Sequence, residues 1–99
     1  MSVDKFVALC RKDQPPEALP ETLRALYWDA RGDWAKAHKV AQDITTADGS
    51  LIHAYLHRKE GDQGNARYWY DRAGRPVHRG TLDEEWRAIA EELCGKVPT

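Results

Sequence analysis

The chain has 99 residues, 15 Lys and Arg against 16 Asp and Glu, a formal net charge of −1, and 41% hydrophobic residues. That length predicts one domain able to bury a real core with little margin, and the near-even charge argues against an obligatory nucleic-acid or anionic-membrane partner. No run approaches the ~18 apolar residues of a membrane span, and MSVDKFVALCRKD carries charges where a secretory leader needs its apolar stretch, so a cytoplasmic protein is expected. The charge is unevenly placed: residues 50–80 hold 6 basic and 3 acidic side chains, and residues 81–99 hold 2 and 5. The middle is net positive and the tail net negative.

In chain order, Ser2 is a suitable N-cap and Val3, Phe6, Val7 and Cys10 recur at helical spacing, which predicts a short amphipathic helix over residues 2–13. Pro15-Pro16 cannot continue it, because proline lacks the amide donor and restricts the residue before it. Pro20 then suits the first turn of a second helix with Leu23, Leu26, Tyr27 and Ala30 on one stripe, closing at Gly32. Asp33 caps a third helix, whose stripe is Trp34, Ala37, Ala41 and Ile44. After a loop over residues 44–49, Asp48 or Ser50 caps a fourth helix with Ile52, Tyr55, Leu56 and Lys59 on one side, and Gly61-Asp62 turns into a fifth with Ala66, Trp69, Tyr70 and Ala73 inward, closing at Gly74. A connector containing Pro76 leads to Thr81-Leu82-Asp83-Glu84, a capping box that opens a sixth helix with Leu82, Trp86, Ile89, Ala90 and Leu93 inward, closed by Gly95. No stretch alternates with period two, so the fold class is all-α, with about six helices in a single domain spanning residues 1–99.

The Gly32-Asp33 corner recurs as Gly61-Asp62, 29 residues on, with Ala25 and Ala54 ahead of it and Ala37 and Ala66 behind it at the same offset. A fixed period in this range marks stacked supersecondary units. The two copies occupy residues 20–44 and 49–74, with end helices over residues 2–13 and 81–95. Helix, Gly-Asp corner and Ala three or four residues after the Asp resemble the middle of a tetratricopeptide unit, and Asn65 to Gly74 (NARYWYDRAG) is similar to the second helix of a Sel1-like repeat. The period of 29 is shorter than the roughly 34 of a tetratricopeptide unit. The resemblance covers residues 20–74 and implies a protein- or peptide-binding scaffold in which the first helix of each hairpin lines a concave face. On that mapping Leu26, Asp29, Tyr55, Arg58 and Lys59 would face the groove. End helices would cover the apolar edges of the pair, and an incomplete cover would become a homo-oligomer interface.

Several side chains invite chemistry. His53 and His57 lie four apart on one helix, so both rings can reach one ligand, with His38 and His78 available to add to it. No glutamate follows His53 as a zinc-hydrolase motif requires, so the spacing alone predicts hydrogen-bonded surface histidines, with no metal and no cofactor assigned. Tyr68-Trp69-Tyr70 spans about 200° of helix circumference, so Tyr68 must fall off the buried stripe. Arg58, Arg67, Arg72, Arg75 and Arg79 come from the same region, and guanidinium groups beside aromatic rings suit anion recognition or base stacking. No nucleophile elbow, paired Cys and His, or glycine-rich phosphate loop occurs, so no catalytic residue is named. Glu84, Glu85, Glu91 and Glu92 are expected to serve capping and solvation. Cys10 and Cys94 form no zinc-type spacing and are expected as buried thiols, a disulfide between them being one a reducing cytosol would keep open.

Two readings follow. The first is a small non-enzymatic interaction module for a protein or peptide. The second is an anion- or nucleotide-binding protein, or small enzyme, with an Arg/His/Tyr/Trp pocket in residues 53–79. Asp29, His53, Tyr55, His57, Arg58, Lys59, Arg67, Tyr68, Arg72 and Arg75 are the candidate binding residues.

Overall fold

The computed structural model describes residues 1–97 and contains six α-helices, with no strand among the described residues. They are α1 (Val3–Leu9), α2 (Glu21–Ala30), α3 (Trp34–Gln42), α4 (Ala47–Lys59), α5 (Gln63–Ala73) and α6 (Leu82–Cys94). The sequence signals set most of the boundaries. Ser2, Asp33, Asp62 and Thr81 each accept a hydrogen bond from a first-turn amide of the helix they cap. Gly32 and Gly61 adopt φ of 84° and 89°, the left-handed backbone that lets two helices meet with no intervening loop. Thr81 and Glu84 form the reciprocal capping box.

Three boundaries differ from expectation. Helix α1 stops at Leu9, and its last residues form turns ahead of the prolines. Pro20 stands outside α2, in the N-cap position, with no side-chain cap. Helix α4 begins at Ala47, so Gly49 and Ser50 lie inside it. Gly49 permits this: a Cβ there would fall 2.6 Å from the Ile44 Cβ and 2.5 Å from its carbonyl oxygen. The chain therefore folds back over α4 only where the side chain is a hydrogen.

Helices α2 and α3 form one hairpin and α4 and α5 the other, and α6 closes the fold against α1, α2 and α4. The radius of gyration, 12.4 Å, is that of a compact chain of about 100 residues. Phe6, Leu23, Leu26, Tyr27, Ile52 and Leu56 are fully buried, and Phe6 stacks on Trp86 with ring centroids 5.7 Å apart. Each such aliphatic or aromatic burial contributes about 1.5–3 kcal/mol. Cys10 and Cys94 are buried free thiols, and burial raises the Cys10 thiol to about 11. No described helix is long and apolar enough to cross a membrane.

Helix α4 occupies the centre. Every residue from Gly49 to His57 is buried, so α4 is enclosed on all sides and does not line an open concave face. Its polar side chains must find partners inside the protein, because burying an unpaired polar group costs several kcal/mol. Three internal clusters result.

Candidate functional site: a three-histidine cluster

Two of the clusters are closed. Asp29, 3% exposed, accepts from the Tyr55 hydroxyl at 2.7 Å and from the Lys59 ammonium at 2.9 Å, which ties α2 to α4. Burial and the Asp29 carboxylate together push the Tyr55 phenol far above its ordinary value. Glu85, 2% exposed, accepts from Arg58 at 2.9 Å and from the Tyr70 hydroxyl, and Arg58 donates further to the Gly80 carbonyl. Burial and then Glu85 raise the Tyr70 phenol. Four groove residues expected from the sequence, Asp29, Tyr55, Arg58 and Lys59, are thus bonded to the protein itself. Glu85 was expected to serve solvation or capping; it is instead the buried anion that joins α4, α5 and α6.

The third cluster is different. His38 of α3 and His53 and His57 of α4 bring ring nitrogens within 4.8 Å of one another. Their ring centroids are 4.5 Å (His38 to His53), 5.2 Å (His38 to His57) and 4.8 Å (His53 to His57) apart. His53 and His57 are 6% and 8% exposed, so they are not the surface histidines their spacing suggested. The Gly-Asp corner of the first copy turns α3 back so that His38 faces α4, and the i, i+4 spacing puts His53 and His57 on one face.

The surroundings fix the rings. The indole of Trp69 stacks on His53 at 4.0 Å between centroids, and that of Trp34 stacks on His38 at 4.9 Å. Trp34 is itself held by an indole N–H donated to the Leu56 carbonyl at 2.9 Å. It thereby braces His38 against α4. His57 donates Nδ1–H to Glu60 at 2.6 Å, which fixes the ring and turns its other nitrogen, Nε2, away from the carboxylate. The two Nε2 atoms of His38 and His53 face each other at 2.8 Å, so one donates and the other accepts. Only one proton fits between them. Burial, followed by the neighbouring histidines, lowers His53 to about 4, and burial followed by His57 lowers His38. At neutral pH these two rings are uncharged, and the proton they share must move to another ring nitrogen before both Nε2 atoms can face a cation.

Three imidazoles with a carboxylate behind one of them match the donor set of a transition-metal site, in which the outer carboxylate orients the ring and raises its basicity. Nitrogens about 2.0–2.1 Å from a tetrahedral ion lie about 3.3 Å apart. The His38 to His53 separation needs to open by only about half an ångström to reach that value. Asp62 and Glu60 form a second acidic group beside His57, but Asp62 already caps α5 through the Asn65 amide at 3.1 Å and Glu60 holds His57. They make the outer layer of the cluster. His78 lies apart, beside Gly80 and Glu84 on the connector that precedes α6.

The other candidates are spread over the α5 surface. Tyr68 is 53% exposed, off the buried stripe as its position requires. Arg72 reaches the Tyr68 hydroxyl at 3.2 Å and lies over the Trp69 ring, and Arg75 pairs with Glu92. Arg67 makes no hydrogen bond or ion pair among the described residues. The sequence pointed to His53 and His57 and offered His38 as a third, but assigned them no ligand. The signal for Glu60 is its spacing of three residues from His57 at the end of α4, whereas Trp69 reaches His53 from α5 across the second corner.

No protein family, curated protein or solved structure matches the chain.

Proposed function

We propose that this protein is a small helical binding module whose ligand is a divalent transition-metal ion held by His38, His53 and His57. The convergence of the three ring nitrogens within 4.8 Å is the observation that carries the reading. A set of imidazole nitrogens suits Zn2+, Cu2+ or Ni2+ and does not suit Mg2+ or Ca2+, which take oxygen ligands. The remaining coordination position would take water or a donor from a bound partner. The hairpin scaffold supports the role through rigidity: α3 and α4 are fixed at both corners, and the two tryptophans hold the rings.

Titration calorimetry of the full chain with Zn2+, Ni2+ and Cu2+, with Mg2+ as control, tests the reading. One ion per chain is expected, with a raised melting temperature. His38→Ala removes a half-buried ligand and leaves the core in place, so it should abolish binding while the protein stays folded. If transition metals leave the melting temperature unmoved, or bind His38→Ala equally well, the assignment fails. The peptide-groove reading is supported less, because Asp29, Tyr55, Arg58 and Lys59 are engaged internally.

A further inference from the structure

On the opposite flank of the α4–α5 hairpin, the connector of residues 75–80 crosses in front of α5 and α6 without regular structure. Between it and the first turns of α5 lies a cleft of about 400 Å³ lined by Arg58, Gln63, Ala66, Arg67, Val77 and His78. That is within the usual range of small-ligand sites. Its lining holds two guanidinium groups, an amide and an imidazole, and no carboxylate. Arg58 is already bonded to Glu85 and Gly80 and forms a fixed wall of the cleft, which leaves Arg67 as its unpaired guanidinium among the described residues. Arg67, and the side chains of Gln63 and His78, make no hydrogen bond among the described residues. Donors without acceptors, arranged around one cleft, mark the place where an anion completes the set.

Arg67 and Val77 also line a neighbouring cleft of about 440 Å³, whose other walls include Tyr68, Pro76 and one carboxylate, Asp71. Tyr68 and Val77 are the exposed large apolar side chains among the described residues, and both border this second cleft. A flat ring can lie on Tyr68 while a phosphate on the same molecule reaches Arg67. Charge in the first cleft and an aromatic surface in the second favour a ligand that carries both.

We infer that the paired clefts bind a phosphomonoester with an aromatic body, its phosphate on Arg67, Gln63 and His78 and its ring on Tyr68. The site is separate from the histidine cluster, with Arg67 and Tyr68 on the exposed side of α5 and Trp69 turned toward His53. Isothermal titration of the full chain with adenosine monophosphate, inorganic phosphate and adenosine tests it, with chelator present so that metal binding does not contribute. The monophosphate should bind more tightly than inorganic phosphate, and adenosine should bind weakest. Arg67→Ala, an exposed substitution that leaves the core intact, should weaken both phosphate compounds about tenfold. Tyr68→Ala should weaken the monophosphate several-fold and leave inorganic phosphate unchanged. The inference is overturned if neither phosphate compound binds saturably at millimolar concentration, if adenosine binds as well as its monophosphate, or if Arg67→Ala changes nothing.

Discussion

Two of the three polar clusters on α4, the one at Glu85 and the one of histidines, both bridge helices and have opposite chemistry. In the Glu85 cluster each charge meets its opposite: a carboxylate accepts from a guanidinium and a phenol, and the guanidinium also reaches a backbone carbonyl. The histidine cluster has like groups facing one another, with a single proton between His38 and His53 and neither ring able to charge without repelling its neighbours. A complete set of partners locks helices together. Ring nitrogens that share one proton can exchange it for a cation, each ring then carrying its own proton on the other nitrogen. Buried polar groups are therefore read by the balance of donors and acceptors rather than by burial alone.

The sharpest way to break the comparison is to remove the central anion of the closed cluster. Glu85→Ala leaves Arg58 unpaired and the buried Tyr70 hydroxyl without an acceptor, and should cost about 3–5 kcal/mol in chemical denaturation. Metal binding by the fraction that remains folded should be unaffected. A cost below about 1 kcal/mol would show that the cluster does not lock the helices.

Next in size is the response of the histidine cluster to acid. His53 falls from an ordinary 6.5 to about 4 in the folded protein, so the unfolded chain takes up its proton first as pH drops. Stability should be complete above about pH 6.5 and decline between there and about pH 4, by on the order of 3 kcal/mol, with His38 adding in the same direction. His38, His57 and Trp69 press on His53, and the Glu60 carboxylate acts from behind His57. Unfolding free energy measured from pH 8 to 4 reads this directly, and His53→Gln should flatten the profile.

A metal ion should act in the same direction and steepen the profile, because protons compete with it for the same ring nitrogens. At a free concentration 100 times its dissociation constant, Zn2+ should add about 2.7 kcal/mol to stability at pH 7.5, with none of this gain in His38→Ala. Glu60→Gln should weaken the metal about 10- to 100-fold, since an amide holds the His57 ring without the same electron donation. Unchanged affinity would place Glu60 outside the site. The smallest effect is expected at Trp34. Trp34→Phe keeps an aromatic face for His38 but loses the bond to the Leu56 carbonyl, which should cost about 1 kcal/mol and a modest part of the metal affinity.

The local elements were legible in the sequence because they depend on near neighbours. Asp33 and Asp62 cap the helices they precede, Gly32 and Gly61 supply the corners, and Thr81 with Glu84 opens α6, all through contacts within four residues. The period of 29 announced two hairpins, and the six-helix, all-α class followed from it and the caps. His53 and His57 were legible as a same-face pair, and Tyr68 as an exposed ring.

Only packing in three dimensions decided the rest. Whether α4 lined a groove or filled the centre depended on α6, which begins 23 residues after α4 ends and closes over it. That enclosure turned Glu85 from a solvated carboxylate into a buried partner of Arg58, while the packing of α2 on α4 made Asp29, Tyr55 and Lys59 an internal tie. Trp34 and His38 of α3 and Trp69 of α5 in turn made two expected surface histidines into a desolvated cluster. Helical periodicity fixes which residues share a face, because it is a property of the backbone. It does not say what that face meets, since burial and hydrogen-bond partners belong to residues far apart in the chain.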